Sequence, residues 1–269
     1  MNRLSKDQIL EQCPVAFSNE PTNPELSGRY VYMSTEVIID DMEKLGWFPV
    51  KASMRNKHKE DSIYSKHMIT FRNPDITIKG EDGDDSIPEI ILVNSYDGYT
   101  SLRFYVGVFR FVCENGLVVA DRDFEHFSMA HKGYSFESLR ELLSEKVLNL
   151  PKKVEVLNDM LNKHLTEDQI KEFAVNAMLI RTGTPFNKLD LSEANYDDNL
   201  IQEITEPKRK LDEGNSLWAV FNRVQETLVS GGIMMPTKTG KQRKMSKIKS
   251  FDRHLEFNKN LFILATDLI

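Results

Sequence analysis

Two sets of residues in this 269-residue chain have types and spacing that could do chemistry. The first lies on strand-like stretches: Lys51 and Arg55 on one, Arg103 and Arg110 on another, interleaved with Tyr105, Phe109 and Phe111. Single-stranded nucleic acid is held by this mixture, because cations follow the phosphates while rings stack on bases without reading them. Each stacked base contributes about 1–3 kcal/mol, so a few rings suffice. Strands also carry rings as core and arginines as edge charges beside carboxylates, and residue types alone leave both readings open. The second set is Lys238, Lys241, Arg243, Lys244, Lys247, Lys249 and Arg253, opposed within 238–254 by Asp252 alone. That segment carries +6 in a chain of net charge −6, which leaves −12 elsewhere. A basic segment on an acidic body can clamp a polyanion, dock on its own protein's acidic surface, or stand solvated. Lys132, beside His131 at a strand end, is a further candidate phosphate contact.

Catalytic constellations are missing or unformed. There is no Gly-rich phosphate loop, no Gly-x-Ser-x-Gly elbow and no Cys-x-x-Cys pair. His126 and His131 stand five apart in one strand, on opposite faces, and cannot chelate one metal by themselves. His58 and His67 flank a polar loop with no carboxylate partner close in sequence. The acidic stretch 79–87 lacks the alternate ligand spacing and terminal glutamate of a calcium loop, and reads as a solvated loop tip. A metal-dependent nuclease would need Asp97, Asp121, Asp123 and His131 to converge, and ranks last. No catalytic residue, metal or cofactor is expected.

The elements that must position the basic and aromatic residues are a meander and a set of helices. Residues 88–120 are dense in β-branched and aromatic residues, with Asp97-Gly98 and Asn115-Gly116 as hairpin signals. Strands are expected at about 89–96, 101–113 and 117–121, joined by shorter ones near 50–54, 67–71 and 124–131. In the middle strand Leu102, Phe104, Val106 and Val108 share a face, and the phase slip after Gly107 reads as a bulge. A short helix over 35–45 carries Val37, Ile38, Met42 and Leu45, with Gly46 as its left-handed cap. Helical spacing runs from Ser135 to Leu165 with a break at Pro151, then restarts after the capping box Thr166–Gln169. Further helices begin at Asn215-Ser216, ending at Gly231-Gly232, and at Leu255.

Strands first and helices second is an α+β arrangement: an antiparallel meander of about five strands covered on one side by helices, then a helical C-terminal half. The expected organisation is an N-terminal arm of coil over 1–34, a meander-plus-helix core over 35–150, and a helical region over 151–269 that holds the basic segment. No apolar run is long enough to span a membrane, and two widely separated cysteines, Cys13 and Cys113, suit the reducing cytoplasm.

Leu92-Val-Asn-Ser-Tyr-Asp-Gly98, Gly107-Val-Phe-Arg-Phe-Val-Cys-Glu-Asn-Gly116 and His131-Lys-Gly133 resemble the motifs N-S-x-D-G, G-x-x-R-x-V-C-x-N-G and H-x-G of the phage/plasmid-like protein family catalogued as a domain of unknown function. Leu45–Val50 and Asn215–Glu226 resemble its upstream junction and C-terminal helix, so the likeness covers about 35–269; the acidic loop at 81–85 departs from it. The resemblance implies a mobile-element setting and, in element order, a likeness to the single-strand annealing proteins of phages, the RecT, Redβ and Erf types. The expected function is therefore single-stranded DNA binding, with strand annealing independent of ATP and assembly into a homo-oligomeric ring or filament. Lys51, Arg55, Arg103, Arg110 and Lys132 would contact phosphate, Tyr105 and Phe109 would stack, and Lys241, Arg243, Lys244, Lys247 and Lys249 would clamp. The alternative is an anti-defence or regulatory protein whose acidic body binds a host protein.

Overall fold

The structure, a computed structural model, describes residues 2–19, 32–54, 63–77, 86–97, 102–110, 116–117, 127–129, 135–148, 150–184, 189, 197–236 and 241–269. The class is α+β, and the chain divides into two compact units: 1–116 with 124–149, and 117–123 with 150–269. Among the described residues no helix is long and apolar enough to cross a membrane.

The first unit is built on an antiparallel sheet of β1 (Phe48–Met54), β2 (His67–Arg72), β3 (Ser86–Asn94) and β4 (Leu102–Arg110), in that order. Two short strands, β5 (Gly116–Leu117) and β6 (Phe127–Met129), pair with β4. Ile69, Phe71, Ile90, Leu92, Leu102 and Phe104 point to one face, which helices cover. The covering helices are α1 (Lys6–Gln12), α2 (Thr35–Lys44) and α3 (Phe136–Leu148), through Ile9, Ile38, Ile39, Met42, Leu139 and Leu143. Removing such side chains from water contributes about 1.5–3 kcal/mol each, which lets a meander stand that could not stand alone.

Four details depart from expectation, each for a local reason. The N-terminal stretch is not all coil. Ser5 and Gln8 form a capping box that starts α1, and Pro14–Phe17 make a 3-10 turn whose Val15 and Ala16 are buried. A helix of seven residues with Ile9 as its one buried residue leaves no periodic pattern to read. In α2 the buried face is Ile38, Ile39 and Met42, while Val37 is 51% exposed; Gly46 does take the left-handed cap, with φ +83°. No bulge interrupts β4 against β3, since pairing runs unbroken from Ser86↔Arg110 to Val93↔Arg103. The register shift lies instead at Pro49/Lys51 in β1, where proline has no N–H to give the ladder. The side chains in which the phase slip was read, Phe109, Arg110 and Phe111, lie outside the described residues. Ile87, Ile91 and Val93 are buried as well as Ile90 and Leu92, so β3 is covered on both faces and alternation around it carries no signal.

The second unit is helical: α4 (Leu150–Asn162), α5 (Glu167–Thr182), α6 (Asp198–Thr205), α7 (Leu217–Ser230) and α8 (Phe251–Thr266). The Thr166–Gln169 capping box forms as expected and opens α5, and the Ser216 side chain caps α7. Trp218, Ala219, Val220, Phe221, Val224, Leu228 and Val229 make α7 apolar nearly all round, so it is the buried centre of the unit. A hairpin follows it, β7 (Met234–Pro236) with β8 (Gln242–Lys244).

Candidate nucleic-acid interface

Of the residues expected on the open sheet face, the structure settles some and not others. Lys51 is exposed on β1. Arg103 is half-buried on β4, beside Val93 and Ser128 of the neighbouring strands. Tyr105 is only 4% exposed, so its ring has no free face for a base; its assignment as a stacking residue is corrected. Its cross-strand neighbour Ile91 is buried too, and the face that should have been open is covered at this point. Glu89 on the same strand as Ile91 is buried against Arg72, with Nη2 2.6 Å and Nε 2.8 Å from its Oε1. Burial pushes the Glu89 carboxyl up from the usual range, against the opposing pull of the Arg72 guanidinium and the Lys51 ammonium. Here the sheet is a packed, charge-neutralised surface and not a cationic groove. Phe109 and Arg110 are described as β4 backbone opposite Ile87 and Ser86, and their side chains, with Arg55 and Lys132, lie outside the described residues.

The residues of the Asn-Ser-Tyr-Asp-Gly motif do something that sequence reasoning missed. β3 stops at Asn94 and β4 begins at Leu102; residues 98–101, and with them the turn expected at Asp97-Gly98, lie outside the described residues. Asn94, Ser95 and Tyr96 themselves are buried. Asn94 Nδ2 donates to Thr35 Oγ1 (3.0 Å) and to the Met33 carbonyl (3.2 Å). The Tyr96 hydroxyl donates to Thr35 Oγ1 and accepts from the Thr35 N–H, both at 3.0 Å. Thr35 Oγ1 is 2.7 Å from His67 Nε2, and His67 Nδ1 is 2.9 Å from the Ser65 carbonyl. A carbonyl only accepts, so Nδ1 carries the proton and Nε2 accepts from the Thr35 hydroxyl. Every polar atom named is thereby satisfied inside the unit, which fastens the start of α2 to β2 and to the end of β3. The network has the chemistry of a lock rather than of an active site. Among the described residues no group of three or more His, Cys, Asp or Glu could hold a metal, and Asp121, Asp123 and His131 lie outside them.

The cationic set on the second unit is the one the structure presents. Lys241, Arg243, Lys244, Lys247 and Lys249 are all exposed, and among the described residues none has an ion-pair partner. Sequence reading left this stretch open between a polyanion clamp, a segment docked on the acidic body and a solvated one; it is a hairpin strand followed by a strap along the end of α7. Gly231 stops α7 with φ +65° and ψ −155°. The Gly232 N–H then donates to the Met245 carbonyl and the Met245 N–H to the Ile233 carbonyl, both at 2.8 Å. Met234, Met235 and Pro236 pair with Lys244, Arg243 and Gln242. The Ile248 N–H reaches the Val229 carbonyl at 2.9 Å, and its buried side chain pins the strap. The signal for the hairpin was present in Gly231-Gly232, the apolar run Ile233–Met235 and Gly240 before the basic residues.

With this geometry in hand, comparison with known proteins gives the family. Residues 25–251 match the model described as Domain of unknown function (DUF932). The chain belongs to this family. The DUF932 match takes in both the Asn94–Gly98 motif and the cationic hairpin. Two curated relatives from Escherichia coli (strain K12), UPF0380 protein YfjQ and UPF0380 protein YafZ, are each 28% identical over 268 residues, covering 99% of this chain and 92% of theirs. No solved structure matches the chain.

Proposed function

We propose that this protein binds nucleic acid, single-stranded DNA in the first place, and that the hairpin of the second unit holds the phosphates. The observation that carries this is the group of five exposed cations, Lys241, Arg243, Lys244, Lys247 and Lys249, without ion-pair partners among the described residues, on a strand and strap whose backbone is hydrogen-bonded to α7. Lysine and arginine neutralising phosphates release condensed counterions, so such a patch attracts polyanions even on an acidic chain. Lys51 of the first unit remains a candidate contact, whereas stacking by Tyr105 is dropped. Annealing of complementary strands, within a ring or filament of copies, is the finer form of this reading.

A labelled oligothymidylate titrated across a salt series tests it. Single strands give a slope of log affinity on log salt of about −0.7 per phosphate neutralised, so all five cations acting together give about −3.5. The triple variant K241E/R243E/K244E abolishes binding at about 50 mM salt on this reading. Absence of binding by the unaltered chain at that salt, or binding without salt dependence, removes the proposal and turns attention to an acidic protein partner.

A further inference from the structure

We infer that Arg181, on α5, positions the cationic strap for phosphate without touching phosphate itself; the inference rests on the nucleic-acid reading above. Its Nε–H donates to the Leu228 carbonyl at 2.9 Å and its Nη2–H to the Ser246 carbonyl at 2.6 Å. The first of these is an acceptor that the helix has abandoned. In an unbroken helix Leu228 would receive the N–H of residue 232, but Gly232 gives its N–H to Met245. The second carbonyl lies within the strap, with exposed Lys244 two residues before Ser246 and exposed Lys247 directly after it. One planar fork thus joins the end of the buried helix to the backbone between two of the proposed phosphate contacts.

Arginine suits this position for stated reasons. Two carbonyls set side by side match the fixed donor geometry of a guanidinium, and a lysine ammonium cannot reproduce it. The negative end of α7's dipole favours a cation there. Burial, and then the nearby charge of Arg253, lower the Arg181 pKa from its ordinary value. A strap left unfixed must be ordered each time ligand binds, and a preformed strap avoids that entropic cost. Sequence reading had no route to this contact, since Arg181 and Ser246 are 65 residues apart.

The test compares R181K, R181Q and the surface control K244Q in the full-length chain, by oligothymidylate titration over salt and by amide hydrogen exchange. R181Q and R181K should both raise the dissociation constant about tenfold, the equivalent of one charge-assisted hydrogen bond. Both should speed exchange at Met245 and Ile248. K244Q should weaken binding and reduce the magnitude of the salt slope by about 0.7 while those amides stay protected. R181K binding as well as the unaltered chain would show that charge alone matters, and unchanged exchange in R181Q would show that the fork does not hold the strap; either overturns the inference. If the unaltered chain binds no oligonucleotide, the nucleic-acid reading fails first, and exchange still reports whether Arg181 holds the strap.

Discussion

Gly231→Ala will destabilise the full-length chain by about 3 kcal/mol in urea denaturation and release the cationic strap, far more than the same change one residue later. Gly231 sits at φ +65° and ψ −155°, a region of backbone space open essentially to glycine, where another residue costs about 1–3 kcal/mol. Space makes it worse. A Cβ there would stand 2.7 Å from the Met245 carbonyl oxygen and the Ser246 carbonyl carbon, and 2.8 Å from the Ser246 oxygen. These are backbone atoms of the strap, held by the Gly232–Met245 and Ile248–Val229 hydrogen bonds, so they cannot rotate aside as a side-chain tip can. The conflict is relieved only by moving the end of α7 or by lifting the strap. Gly232 also has positive φ, +100°, but a Cβ there meets nothing within 4 Å, so Gly232→Ala bears the dihedral strain alone. The expected order is therefore Gly231→Ala well below Gly232→Ala in stability, with loss of exchange protection at Ile248 in the former. Equal effects would mean that the strap is not pressed against the helix end.

Where the chain's plan could be read in advance, the readable residues were local and repetitive. The sheet core announced itself in Ile90, Leu92, Leu102 and Phe104, and the helix starts in the Thr166–Gln169 box and Ser216. What escaped was decided by partners far away in sequence. Tyr105 alternates like a face-exposed strand residue, yet its burial depends on β3 being covered on both sides, which no property of β4 itself could report. Asn94, Ser95 and Tyr96 carry the residue types of a turn, yet Asn94 and Tyr96 are held by Thr35, 61 residues from Tyr96, which offers a buried hydroxyl and amide to satisfy. The basic segment was visible as charge, but its fold-back is set by Arg181 and by glycine geometry. Charge could be read locally; what the charge is mounted on could not.

The Thr35 network makes the first unit sensitive to pH. His67 is fully enclosed, and burial lowers its pKa from 6.5 to about 4, only partly countered by its hydrogen bond to the Ser65 carbonyl. The groups around it are Thr35, Tyr96 and Asn94, with the Tyr32 ring tilted 42° against Tyr96 at a centroid distance of 4.8 Å, and no carboxylate is among the causes of the shift. Burial pushes the Tyr96 hydroxyl up, so it stays protonated throughout the acid range and only His67 titrates. A second ring proton has nowhere to go. Thr35 Oγ1 already accepts from Asn94 and Tyr96 while donating to Nε2, so a proton on Nε2 sets donor against donor. The unfolded chain binds that proton near pH 6.5 and the folded one resists it to about 4, so unfolding takes up a proton in between. Stability is thus fully present above about pH 6.5, falls as pH drops towards 4, and loses no more from this group below that, a total of about 3 kcal/mol. Glu89, whose pKa burial raises, tilts the profile the opposite way, which is why the comparison must be with His67→Gln rather than with theory. Urea unfolding of both proteins between pH about 7.5 and about 4.5 should show the unaltered chain losing stability faster than the variant on acidification. Parallel profiles would mean that His67 meets solvent and that the Thr35–Asn94–Tyr96 lock opens more readily than its hydrogen bonds suggest.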